Sequence, residues 1–185
     1  MAIRRFADRG YSATTMDEIA ESAGVTKPLL YHHFGSKRAL YLELVEEVSR
    51  DLLESVEKAT AAASGPRELV HASFSAYFRH VARRQDAFRL LFGSDEPNDP
   101  ELSRALRQVE ERVAEAVSPL IDADLEVSHR ALLAHAIVGS AVSSSRYWLE
   151  SHGSGGDALD LDEAERTARR VADLAWAGLR AVHRD

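Results

Sequence analysis

Cysteine is absent from all 185 residues, which removes disulfides, thiolate nucleophiles and cysteine-ligated zinc or iron–sulfur sites at once. No apolar run reaches the roughly 18 residues a membrane span needs, and no basic segment precedes a short apolar core of the export type, so a cytoplasmic chain with no membrane partner is expected. Catalytic signatures are missing as well. GxSxG, GxGxxG, GxxxxGK and paired carboxylates do not occur, so the chain is not expected to be an enzyme or to carry a cofactor. The eight histidines show no HxxxH or HExxH spacing. His71 and His80, for example, fall on opposite sides of a helix, and no metal site is expected. Runs of β-branched residues are scarce while Ala, Arg and Glu abound, which argues for an all-α fold.

What is present is an ordinary soluble composition, 45% hydrophobic and 29% charged, with a net charge of −7. That charge is unevenly placed. Residues 1–45 hold six Lys and Arg against five acids, net +1, and residues 46–185 hold seventeen against twenty-five, net −8. The acidity is therefore confined to the second part, and the first is left free to approach a polyanion. With so little positive far field, non-specific binding to nucleic acid should be weak.

The stretch that organises the chain is Thr15 to Lys37, TTMDEIAESAGVTKPLLYHHFGSK. Thr15 stands as an N-cap, with Asp17 and Glu18 at the positive end of the helix it opens. Met16, Ile19, Ala20 and Ala23 recur at helical spacing, so one apolar stripe faces inward. Gly24 follows as the C′ residue, where a positive φ is needed, and marks a sharp turn plugged by Val25. Thr26 caps a second helix that starts at about Lys27, and Pro28 sits in its first turn, where a missing N–H costs nothing. Leu30, Phe34 and the ring of Tyr31 are read as facing inward. Lys27, Leu29, His32 and His33 remain outside, an unusual surface for an ordinary solvated helix. Two short helices joined by a Gly-containing turn fit a helix-turn-helix, whose second helix enters the major groove.

The wording of residues 6–44, from the TTMDEIAESAGVTKPLLYHHFGSKRAL run to its LY-x-HF-x-x-K ending, resembles the N-terminal domain of the TetR family of bacterial transcriptional repressors. The resemblance implies that Lys27, Pro28 and Leu29 reach base edges. It implies that Tyr31, His33 and Lys37 touch phosphates and that Thr15 and Thr26 add hydroxyl or N-terminal contacts. His32 sits at a position that varies in kind across the family. Lys27 would suit guanine O6 and N7, and Leu29 a thymine methyl. The family's first helix begins several residues earlier, so a longer natural N-terminus is expected.

Before that motif, residues 1–9 read as a short helix with Ile3, Phe6 and Ala7 inward, closed by Gly10 and Tyr11. After it, Ser36 caps a helix from Lys37 to about Ala63, with Leu40, Leu44, Val48, Leu52 and Val56 spaced by four. Pro66 opens a helix to about Arg84, Asp86 a shorter apolar one, and Pro100 another to Val117. The segment SDEPNDPE and the run HGSGGDALDLD read as loops. Val127–Glu150 and Asp162–His183 are two long closing helices, rich in Ala, Gly and Ser along one side. The resemblance implies that they form a four-helix dimer bundle with a second copy.

The expected architecture is thus all-α, about nine helices: a helix-turn-helix DNA-binding domain over 1–45 and a helical ligand-binding and dimerisation domain over 46–185. Phe74, Tyr77, Phe78, Phe88, Phe92, Tyr147 and Trp148 form an aromatic middle that plain core packing explains for the most part. The resemblance adds a cavity there for a small-molecule effector, with Tyr77, Arg79, His80, Arg146 and Tyr147 as polar candidates for its wall. The function implied is a homodimeric repressor released from a palindromic operator in double-stranded DNA by an inducer. The alternative is a small-molecule-binding helical bundle whose helix-turn-helix no longer regulates transcription.

Overall fold

The computed structural model describes residues 1–92, 99–121, 125–152 and 159–182. Among them are nine α-helices, one 3-10 turn at Ser118–Leu120 and no strands. The helices are α1 (Ala2–Ala13), α2 (Met16–Ala23), α3 (Lys27–Phe34), α4 (Lys37–Thr60), α5 (Pro66–Arg83), α6 (Gln85–Phe92), α7 (Pro100–Val117), α8 (Val127–His152) and α9 (Leu161–Leu179). Most of the expected SDEPNDPE and HGSGGDALDLD loops, and His183, lie outside the described residues. Two compact units are present, Met1–Arg50 with Gln85–Val109, and Asp51–Arg84 with Glu110–Asp185.

In the first unit the helical backbone of α1 is interrupted at Gly10, as expected, where φ is +74° and ψ 166°, and a last turn runs on to Ala13. The fully buried Thr14 hydroxyl holds that break by donating to the carbonyl of Gly10 at 2.8 Å and, less closely, of Arg5 at 3.2 Å. Only glycine takes such a φ without strain, so a side chain at residue 10 would re-aim Tyr11. Tyr11 is needed in place, because Phe6, Tyr11 and Tyr41 form an aromatic knot with ring centroids 5.1–6.0 Å apart. Around it Met16, Ile19, Ala20, Leu30 and Leu40 are buried, as the helical spacing predicted, and Val45 is buried outside the predicted stripe.

Helix α6 packs on α1 in this same unit, although it is distant in sequence. The Tyr41 hydroxyl donates to the Leu90 carbonyl at 3.4 Å, and burial pushes the phenol up to about 12. At the start of α7, Asp99 and Glu101 bind the Arg38 guanidinium, Glu101 at 2.9 Å.

In the second unit α5 and α9 pack along one another. Ala164, Ala168 and Ala172 are buried at a spacing of four, a smooth stripe that lets the neighbouring backbone come close. Polar pairs fix the register. Ser75 and Arg79 both donate to Glu165, at 2.7 and 3.0 Å, and His71 approaches Asp173 at 3.4 Å, so the two helices run antiparallel. On α8, Ala134, Val138, Ala141, Val142, Ser145, Trp148 and Leu149 face inward. The small residues of α8 are thus divided rather than gathered on one side. They cover too much of the circumference for one contact, so Ala134 serves this chain's own core while Ala136, Gly139 and Ser143 stay outside.

Candidate DNA interface

The interface is built by α2, its turn and α3. Thr15 and Glu18 cap α2 reciprocally: the Glu18 amide donates to the Thr15 hydroxyl at 3.2 Å, and the Thr15 amide donates to the Glu18 carboxylate at 2.9 Å. The Thr15 amide, joined by the Thr15 hydroxyl donating to the same carboxylate oxygen at 2.8 Å, holds the Glu18 carboxyl below its ordinary pKa. Gly24 takes φ +68° and ψ 27°. The Gly24 amide donates to Glu21 and the Val25 amide to Ala20, closing the helix end in a Schellman arrangement. This turn sets the angle between α2 and α3.

Thr26 occupies the N-cap of α3, but its side chain makes no capping bond, so its hydroxyl is free to serve another partner. Within α3 Leu30 alone is buried and anchors the helix. Thr26, Lys27, Pro28, Leu29, Tyr31, His32 and His33 are all exposed, as is Thr15. Leu29 is 53% exposed and Tyr31 41%, which corrects the inward reading of the Tyr31 ring. At 3.6 residues per turn Tyr31 lies about 100° around the helix from Leu30, which places it at the edge of the inner side rather than within it. A helix that leaves a leucine and a tyrosine in water beside a lysine and two histidines presents a contact surface rather than a solvated back.

Two lysines have partners that spacing did not reveal. The Lys27 ammonium lies 2.7 Å from Asp17 Oδ1, and this bond raises its pKa. Asp17, first read as a helix-terminus acid, therefore also poises Lys27 across the turn. Lys37 donates to two backbone carbonyls, Tyr11 and Thr14, both at 2.9 Å, with its ammonium 4.4 Å from the centre of the Tyr11 ring. It ties the α1–α2 corner to the first turn of α4. No local signal marks those carbonyls, since they lie 26 and 23 residues away.

The aromatic candidates fall in both units. Phe74, Tyr77, Phe78 and Trp148 are buried in the second, and Phe88 and Phe92, with rings 5.4 Å apart, are buried in the first. Tyr147 is 73% exposed on the outer face of α8 and does not line the interior of this chain. Arg79 is occupied by Glu165, as described above, and Arg146 is exposed. His80 is half-buried beside an open groove of about 830 Å³ that Arg83, Arg84, Asp51 and Lys58 also line. Burial, with Arg84 nearby, holds its imidazole below its usual pKa.

A three-helix head with an exposed recognition helix, carried on a longer helical chain, defines a helix-turn-helix DNA-binding regulator rather than an enzyme. Residues 1–44 match the model of the bacterial regulatory proteins of the tetR family, and the chain belongs to that family. It is 34% identical over 179 residues to the HTH-type transcriptional activator FasR of Mycolicibacterium smegmatis, covering 96% of this chain and 78% of that one. It is 40% identical over 88 residues to the transcriptional repressor KstR2 of the same organism, 45% of this chain and 41% of that protein. The fold is similar to FadR of Bacillus subtilis solved in complex with stearoyl-CoA, with a TM-score of 0.79, 17% identity and coverage of 98% and 96%. The family comprises transcriptional regulators, both activators and repressors, that bind DNA. Among the described residues no helix is long and apolar enough to cross a membrane.

Proposed function

We propose that this protein is a cytoplasmic, homodimeric repressor that binds a palindromic operator and leaves it when an acyl-type effector enters the C-terminal region. The observation that carries the reading is the outer face of α3, with Leu29 and Tyr31 in water between Lys27 and His33. Residues 1–45 read DNA: Lys27, Pro28 and Leu29 meet base edges, and Thr15, Thr26, Tyr31, His33 and Lys37 meet phosphates, with His32 at the margin. Residues 46–185 hold the effector and the second copy.

The outer stripe of α8, Leu132, Ala136, Gly139, Ser143 and Tyr147, and that of α9, Leu174, Ala177, Gly178 and Ala181, support a dimer face. A Cβ built at Gly139 or Gly178 meets nothing within 4 Å in this chain, so the smallness of these positions serves no contact of its own. Two heads must sit about 34 Å apart, or a multiple of it, to enter successive major grooves. Helix α4 begins in the head and ends in the second unit, and a tilt of α4 changes that spacing. An effector releases DNA only by preferring the splayed state, since equal affinity for both states shifts nothing. The stearoyl-CoA held by the FadR neighbour supports an acyl chain as its apolar body. Repression follows where the operator overlaps a promoter.

The test is a gel shift with DNA upstream of the protein's own gene, followed by titration with stearoyl-CoA. The expected result is a single retarded dimer complex that dissolves as stearoyl-CoA is added. Retention of the complex at saturating, demonstrably bound stearoyl-CoA overturns the release mechanism. Failure to discriminate that DNA from random DNA favours the helical bundle that no longer regulates.

A further inference from the structure

Three polar side chains meet the apolar interior of the second unit with more donors than the protein satisfies. Ser145 and Trp148 lie one turn apart on the inner face of α8, and Tyr77 of α5 meets Ser145. The Tyr77 hydroxyl, the Ser145 hydroxyl and the Trp148 indole N–H are buried, and none has a partner with hydrogen-bond geometry. Phe78 contacts both aromatics, its ring 5.5 Å from Tyr77 and 5.9 Å from Trp148. Buried polar groups in folded proteins are ordinarily bonded, and a hydroxyl or indole N–H is easily replaced by carbon where no bond is needed.

Counting donors sharpens the point. The Ser145 hydroxyl neighbours the Tyr77 hydroxyl closely enough to offset part of the phenol's burial. Even a rotation that let one hydroxyl donate to the other would leave one O–H and the indole N–H unspent. Burial keeps the phenol protonated, so it remains a donor throughout the physiological range. The charges that act on it are Glu110 and Arg146, of opposite sign, which leaves no net cation to welcome a buried carboxylate.

We propose that Tyr77, Ser145 and Trp148 form a donor clamp for one uncharged carbonyl oxygen on the effector, a thioester, ester or ketone rather than a free acid. The clamp rests on the reading that an effector enters the second unit, and it specifies the polar end that reading left open.

The test uses the full-length protein and four probes: lauroyl-CoA, its thioether analogue S-dodecyl-CoA, 2-tridecanone and laurate. Affinities come from calorimetry. The Trp148 indole N–H is followed by ¹⁵N NMR in a Trp176→Phe background. Wild type should prefer lauroyl-CoA over the thioether by about tenfold, and Tyr77→Phe and Ser145→Ala should each shrink that preference by about threefold or more. Both variants should bind S-dodecyl-CoA as wild type does, which separates a lost bond from a damaged fold. 2-Tridecanone should move the Trp148 signal downfield, and laurate should not. Binding of the ketone but not of lauroyl-CoA would keep the clamp and exclude a CoA-borne source. Equal binding of thioester and thioether, unchanged by Tyr77→Phe, would overturn the clamp while leaving an acyl effector standing. Absence of binding by all four probes would overturn both.

Discussion

Lys37→Ala is the substitution for which the structure and the motif make the most distinct forecasts. As a phosphate contact alone, its loss would weaken every DNA sequence alike, reduce the salt slope by about one and leave the free protein untouched. The structure adds an internal role, because two of its three ammonium donors go to the Tyr11 and Thr14 carbonyls and the charge rests against the Tyr11 ring. Two charge-assisted bonds in a part-buried setting and one cation–π contact together contribute about 2–4 kcal/mol, allowing for the water that replaces the ammonium. For a chain of this size that corresponds to roughly 5–10 °C in unfolding temperature. Differential scanning calorimetry of Lys37→Ala without DNA should show this loss, and salt-dependent binding should show the reduced slope. Unchanged unfolding would refute the internal role. Unchanged slope with lowered stability would show that the ammonium's third donor never reaches a phosphate.

Further outcomes are expected. Lys27→Ala should relax discrimination at one or two operator positions by about tenfold to a hundredfold, and Asp17→Ala should blunt it less. A uniform loss on specific and random DNA would contradict that role. Gly139→Leu should leave the isolated chain folded, since its Cβ meets nothing, and should convert a sedimenting dimer to monomer. Gly139→Ala should add about 0.5–1 kcal/mol of helix stability. His80 has a depressed pKa, so below the usual 6.5 the unfolded chain binds a proton that the folded chain resists, and stability falls as pH drops through that range. His80→Gln should flatten this part of the pH profile, and an unaltered profile would reject the assignment. Glu18 is also depressed, so the cap of α2 should weaken as pH falls below about 4.5, and Glu18→Gln should remove that dependence.

Local rules made the head readable. Thr15, Gly24, Pro28 and Ser36 mark ends whose physics is confined to a few neighbouring residues, and the boundaries of α2 and α3 and the start of α4 follow from them. Periodicity likewise placed Met16, Ile19 and Leu40 in the core. The failures share one cause, which is that apolar spacing names a face but not its partner. Tyr31 went outward because Leu30 already anchors so short a helix. Ala164, Ala168 and Ala172 turned to α5 within the chain, while Gly139, Gly178 and Leu174 were left outside. The carbonyls that hold Lys37, the packing of α6 on α1 and the meetings of Tyr77 with Ser145 and of Phe78 with Trp148 join positions far apart in the chain. The sequence by itself determined the helices, their caps and the family of the reading head, because those depend on backbone sterics and hydrogen bonds within a turn or two. Only the tertiary structure decided which lysine is already bonded, which small-residue stripe stays free and which buried donors lack a partner, because each depends on what the rest of the chain brings alongside.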